Sequence, residues 1–186
     1  MASGTGSGHR PSALIAIRRL YLLRHAKSSW DDPGLADHDR PLAPRGRRAT
    51  KLLAEHLRRE GIAPDVLLCS SARRARETLE GIAPALGDRV SIQVERELYG
   101  ASSGDLLEGL RRIPETVKSV MLIGHNPAVQ ALTLTLAGSD EELESVMRKY
   151  PTGALATLAF SGSWRALEPR AASLGGFVKP RDLAHL

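Results

Sequence analysis

The feature that most restricts the fold is a set of three short, mostly apolar runs whose downstream ends carry polar or reactive residues. Residues 17–23 (Ile-Arg-Arg-Leu-Tyr-Leu-Leu) run into Arg24-His25, Val66-Leu67-Leu68-Cys69 runs into Ser70-Ser71, and Ser119-Val120-Met121-Leu122-Ile123 runs into Gly124-His125. Short aliphatic runs without strict polar alternation predict strands covered on both faces. Between them the hydrophobic period becomes helical. Pro44, tolerated in a first helical turn, precedes Ala49, Leu52, Leu53, His56 and Leu57, and Gly61 stops the helix. Ser70 or Ser71 is placed to cap a helix through Ala75, Leu79, Ile82 and Ala83, which also carries Arg73, Arg74 and Arg76. Asn126 and Pro127 offer an N-cap and a first-turn proline to a helix running through Val129, Leu132, Leu134 and Leu136 to Gly138. A strand at 90–94, helices near 103–112 and at 140–149, and a strand at 154–160 complete the pattern.

Strands alternating with helices predict an α/β fold, a three-layer α/β/α sandwich with a largely parallel central sheet. The 186 residues suit one domain over 16–186, with residues 1–15 as a flexible leader. That leader has glycine and serine where a secretory signal would need an apolar core. No apolar stretch approaches the roughly 18 residues of a membrane span, so no membrane partner is expected. Cys69 is the single cysteine, which excludes an intrachain disulfide and fits a cytoplasmic location. Its place in an apolar run predicts a buried strand residue rather than a nucleophile. The net charge of +5 is spread over short pairs such as Arg18-Arg19, Arg58-Arg59 and Arg111-Arg112, and aromatic residues make up only 4%. That combination lacks both the basic tract and the stacking platforms of a nucleic-acid binder, and fits a phosphorylated protein or small phosphorylated molecule instead.

In open α/β sheets, ligands bind outside the carboxyl ends of the strands. That rule brings together Arg24-His25, Ser70 through Arg74, and Gly124-His125. Two histidines and two arginines suit an anion better than a metal. Arginine presents a planar fork to phosphate oxygens, and each charge-assisted hydrogen bond contributes roughly 1.5–3 kcal/mol. Neutral imidazole is a nucleophile near pH 7, so His25 is the candidate to take up a phosphoryl group while Arg24, Arg74 and His125 hold its oxygens. This chemistry requires no cofactor, nucleotide or metal. Asp37-His38-Asp39 is not expected to bind a metal, because adjacent loop side chains rarely converge on one ion. Arg73 and Arg76 are expected to be surface charges, and His56 to face solvent or pack on its neighbours.

Leu23-Arg24-His25-Ala26-Lys27-Ser28 resembles the Arg-His-Gly signature of the histidine phosphatase superfamily, which includes the phosphoglycerate mutases. Leu42-Ala43-Pro44-Arg45-Gly46 is similar to the family's Leu-Thr-x-x-Gly element, Ser70-x-x-x-Arg74-Ala75-x-x-Thr78 to its second arginine motif, and Gly124-His125-Asn126-Pro127 to its second histidine motif. Within the family, Arg24 through Ser28, Glu97-Leu98-Tyr99-Gly100-Ala101 and Lys179-Pro180-Arg181-Asp182-Leu183 look most like the small SixA-type phosphohistidine phosphatases. The resemblance implies a phosphoglycerate mutase-like fold, His25 as nucleophile, and Arg24, Arg74 and His125 as phosphate ligands. Ala26 replaces the signature glycine, a small change that the site is expected to tolerate.

The resemblance implies an acidic proton donor in ester-cleaving relatives; here the equivalence lies between Glu95 and Glu97, with Glu97 favoured. Ser28 falls near a substrate-contacting position of such relatives. A phosphoramidate such as phosphohistidine has a leaving nitrogen that accepts a proton readily and needs no dedicated acid. The expected function is therefore a metal-independent phosphohydrolase acting on phosphohistidine in a protein. The rivals are a phosphatase of small esters or nucleotides and, without turnover, a phosphohistidine-binding module. A mutase is disfavoured, since little insertion between 95 and 118 is present to enclose an intermediate.

Overall fold

A computed structural model describes residues 16–138 and 143–184 of the chain. The three apolar runs form strands β1 (Ile17–Arg24), β2 (Val66–Ser70) and β4 (Ser119–Gly124), and β3 (Ser91–Glu95) lies where the weaker strand was expected. The helices are α1 (Pro44–Arg59), α2 (Arg73–Ile82), α3 (Ser103–Arg111), α4 (Ala128–Leu136), α5 (Leu143–Arg148) and a short α6 (Pro180–Leu183). The first residues of the helix expected at 140–149, like the expected leader, lie outside the described residues.

The strands join in one six-stranded sheet of order β3-β2-β4-β1-β5-β6, where β5 is Leu155–Ser161 and β6 is Ala172–Val178. The first four are parallel, whereas β5 runs antiparallel to β1, and β6 antiparallel to β5. The sheet is thus mixed, with its parallel part holding the three apolar runs. β6 has no counterpart in the sequence reading. Gly175 and Gly176 interrupt its side-chain pattern, and its pairing with β5 contains a register shift at Thr157/Leu158.

The lack of polar alternation in the central strands follows from packing on both faces. Leu20 and Leu22 of β1, Leu68 of β2 and Val120 and Leu122 of β4 pack with Leu106, Leu110, Val129, Leu132 and Val146 from α3, α4 and α5. Tyr21, Leu23, Leu67, Cys69, Met121 and Ile123, the alternate residues of the same strands, meet Leu53, Leu57, Leu79, Ile82 and Leu183 from α1, α2 and α6. Each fully buried aliphatic side chain is worth about 1.5–3 kcal/mol relative to exposure, so both helix layers are fixed to the sheet by its central strands. Cys69 is fully buried and burial pushes its thiol up to about 12, which removes it from nucleophilic chemistry.

Two expected caps are corrected. The N-cap position of α2 is Ala72, and that of α4 is Pro127, neither with a side-chain cap. Ser70 Oγ does accept the Ala72 N–H at 3.3 Å, but it also faces His125. Asn126 turns its amide towards Gln130 Oε1 and the Tyr150 carbonyl at 3.1 and 3.3 Å. Both residues are drawn into side-chain networks at the ends of the strands instead of closing a helix turn.

Candidate active site

Strand register sets the site. Leu23 lies opposite Ile123, and Ile123 opposite Cys69, so β1, β4 and β2 end level with one another. The residues that follow, Arg24-His25, His125 and Ser70, are thereby delivered side by side, and α2 adds Arg74 from its first turn. Arg24, His25, Arg74 and His125 border a cleft of about 540 Å³, with Ser70 buried beneath it.

His25 is 7% exposed, and its Nδ1 lies 2.7 Å from the Ala26 carbonyl oxygen. A carbonyl can only accept, so Nδ1 carries the proton and Nε2 presents its lone pair to the cleft. Arg74 Nε donates to that lone pair at 3.3 Å. Burial pushes the His25 pKa down to about 3, the Ala26 carbonyl opposes this, and His125, Arg74 and Arg24 reinforce it. The imidazole is neutral at pH 7, with its unprotonated nitrogen facing the guanidinium.

The His125 ring centroid is 5.0 Å from that of His25. Arg74 Nη2 donates to His125 Nδ1 at 3.5 Å, which leaves the proton on Nε2 to be donated to Ser70 Oγ at 2.7 Å. Burial first, then the Arg74 charge, lower its pKa to about 4. Arg24 donates through Nη1 to the Tyr150 carbonyl at 2.7 Å, while its buried Nε has no hydrogen-bond partner among the described residues. Tyr150 is itself fixed by its hydroxyl, which donates to the Leu22 carbonyl of β1.

Asp37, from a 3-10 turn at 37–39, is the carboxylate that lines this cleft. Its Oδ2 accepts from Arg74 Nη2 at 2.9 Å and from the Tyr99 hydroxyl at 2.8 Å; its Oδ1 accepts from Arg40 Nη1 at 2.8 Å. Burial would raise its pKa, but the hydrogen bonds from Tyr99 and Arg74 and the charges of Arg74 and Arg40 hold it below the usual carboxylate range. The sequence reading weighed Asp37 only as a metal ligand and noted Tyr99 only within a SixA-like segment, and it placed neither in the site, since their positions carry no periodic signal.

Residues 20–119 match the histidine phosphatase superfamily (branch 1), more than half of the chain. The chain belongs to this superfamily. The match spans His25 and Arg74 and ends before His125. A SixA-type protein of Nakamurella multipartitia, named as a candidate phosphohistidine phosphatase, superposes with a TM-score of 0.79 at 29% identity, over 89% of this chain and 97% of that one. A similarly named protein of Agrobacterium tumefaciens gives 0.77 at 32% identity, over 88% and 98%. An uncharacterized protein of Mycobacterium tuberculosis strain H37Rv is 43% identical over 166 residues, 86% of this chain and 100% of its own length. The fold is phosphoglycerate mutase-like, of the SixA type, and the chain is a phosphatase.

In this histidine phosphatase the residues of the sequence motifs have physical duties. Ala26 is fully buried, and its N–H donates to Thr78 Oγ1 at 3.0 Å, tying the His25 loop to α2. The Ala43 N–H donates to the Lys27 carbonyl at 2.9 Å, and a Cβ on Gly46 would fall 2.2 Å from that carbonyl oxygen. Glycine at 46 thus lets the start of α1 press against the loop carrying His25.

The remaining candidates divide. Ser28 lines the cleft, but its hydroxyl accepts from Arg40 Nη2 at 2.7 Å, while the Arg40 guanidinium stacks 3.1 Å over the exposed Trp30 ring at the rim. Glu97 is exposed and is not among the cleft-lining residues, and Glu95 sits at the end of β3, where its backbone carbonyl accepts from the Ser71 N–H. Asp37 stands apart from its two neighbours: His38 Nδ1 lies 3.1 Å from Asp39 Oδ1 and its Nε2 faces Ser71 Oγ, while Asp37 is held by Arg74 and Arg40. Among the described residues no three His, Cys, Asp or Glu side chains form a group that could hold a metal ion, and no helix is long and apolar enough to cross a membrane.

Proposed function

We propose that this phosphatase removes the phosphoryl group from phosphohistidine in a protein, with His25 as nucleophile and Arg24, Arg74 and His125 as phosphate ligands. The observation that carries this reading is the state of Asp37. The carboxylate in the cleft is held ionised by Arg74, Arg40 and Tyr99 and has no proton to give a leaving group. An ester oxygen leaving as alkoxide requires such a proton, whereas the imidazole of phosphohistidine takes a proton from water at its free ring nitrogen and departs neutral. The names of the Nakamurella and Agrobacterium relatives support the same substrate.

In the first step His25 Nε2 bonds to phosphorus as the substrate's P–N bond breaks, and arginine donors balance the charge on the equatorial oxygens. The proton stays on Nδ1, where it is donated to the Ala26 carbonyl oxygen, so phosphorylated His25 is a cationic ring. It therefore leaves as neutral imidazole when water attacks phosphorus, releasing inorganic phosphate and one proton to solvent. The cleft is expected to be served by a soluble phosphorylated protein in the cytoplasm.

The test is phosphate release from a phosphohistidine peptide beside phosphoserine, phosphotyrosine and small-ester substrates, using wild type and His25→Ala. Release from phosphohistidine, lowered at least about 10³-fold by the substitution, is expected. Preference for esters would reassign the enzyme to small-ester or nucleotide hydrolysis. Binding without turnover would make it a phosphohistidine-binding module.

A further inference from the structure

A second, smaller cleft of about 90 Å³ adjoins the catalytic one, and Lys27 and Thr152 line both. Its other polar walls are Arg45 from the first turn of α1, Lys179, and Arg181 from α6, set against Pro151 and Pro180. Four cations thus surround a space suited to a single carboxylate or phosphate. Lys179-Pro180-Arg181-Asp182-Leu183 is the one SixA-like segment that the phosphoryl site leaves unused.

The acids nearby offset only one of these four cations, Arg181. Asp182 accepts the Lys179 backbone N–H at 3.3 Å and stands 3.4 Å from Arg181 in an exposed pair. Glu77 is engaged by the Leu42 N–H at 2.7 Å, by Arg73 at 2.8 Å and, more loosely, by Arg47 at 3.6 Å. Lys179 Nζ is steered by Ser145 Oγ and lies 5.2 Å from the Phe177 ring centroid. Among the described residues Lys27 and Arg45 enter no ion pair. Arg45 and Arg47 also sit in the first turn of a helix that has no acidic residue there, where the helix dipole disfavours cations. A local choice made against both dipole and neighbours points to a role outside folding.

We infer that this second cleft is a subsite for a further anionic group, carboxylate or phosphate, on the same molecule as the phosphoryl group. The inference rests on the proposed reading that the larger cleft takes that phosphoryl group. In a protein substrate the anion is an acidic side chain flanking the phosphohistidine. Exposed cations act through attraction that salt screens, so they lower KM without altering the chemical step.

The experiment compares phosphohistidine peptides flanked by glutamate or by alanine, and propane-1,3-diol bisphosphate with its monophosphate, at low and high salt. Wild type and Arg45→Gln/Arg181→Gln are used; both positions are exposed, and circular dichroism checks the fold. The expected result is a glutamate preference that the variant loses through a rise in KM of about tenfold, with kcat retained and KM for the alanine peptide moving less than about twofold. A preference confined to the bisphosphate keeps the subsite and assigns its anion to a small molecule. Equal changes for flanked and unflanked substrates in both pairs, or no change in either, overturns the subsite. If no phosphohistidine peptide is turned over, the substrate reading fails while the bisphosphate pair still decides the subsite.

Discussion

His25 and Arg74 depend on one another. The Ala26 carbonyl fixes the imidazole tautomer, and the Arg74 guanidinium faces the nitrogen left bare. Asp37 in turn occupies the outer edge of that guanidinium at 2.9 Å, so under the proposed function an incoming phosphoryl group would share Arg74 with a carboxylate already there. The carboxylate orders Arg74, Arg40 and Tyr99, yet it also opposes any dianion in the same cleft. Asp37→Asn keeps the shape and removes the charge. It is expected to tighten competitive inhibition by inorganic phosphate several-fold while lowering kcat, because the arginines lose their charged anchor; inhibition constants and kcat measured together check both signs. Unchanged phosphate inhibition would show that Asp37 lies too far into solvent to matter to the anion.

Three strands that end level, and two helices that begin just past them, create the cleft from elements with separate folding tasks. The helix α1 adds a constraint of its own, since its first turn rests on the Lys27 backbone through Gly46. An alanine there needs a backbone carbonyl to move, and no flexible side chain is available to give way. Gly46→Ala is therefore expected to destabilise the protein by about 1–3 kcal/mol and to lower kcat more than it raises KM, because the displaced loop carries His25. Urea denaturation and steady-state kinetics check this. Full activity with full stability would mean that α1 can slide on the sheet at no cost.

At the end of the sheet His25 is buried and His125 half-buried, which ties stability to pH. An unperturbed histidine titrates near 6.5, whereas folded His25 and His125 are depressed to about 3 and about 4. Between those values the unfolded chain binds protons that the folded one refuses. Stability is therefore fully present above pH 6.5 and is lost progressively as pH falls towards 4 and 3. Denaturation midpoints measured from pH 7.5 to 4.5 are expected to fall more steeply for wild type than for His25→Asn/His125→Gln, which lacks both titrating rings. Parallel curves would mean that the histidines are already protonated in the fold.

The strands, the layers and four residues of the site were legible because each was written locally. A strand buried on both faces must be apolar throughout, and the residue that ends it is at the carboxyl edge of the sheet, so Arg24, His25 and His125 could be placed from their neighbours alone. Arg74 followed from its place just past β2. The rest depended on partners far along the chain. Asp37 is held at the cleft by Arg40 nearby but also by Arg74, 37 residues on, and Tyr99, 62 residues on. Ser70 and Asn126 looked like helix caps, because nothing nearby showed that His125 and Tyr150 would claim them. β6 was hidden by two glycines that a neighbouring strand makes tolerable. Hydrophobic patterning encodes which faces are buried, since that cost is paid residue by residue; which loops meet over the cleft is settled by long-range hydrogen bonds that exist only once the sheet has closed.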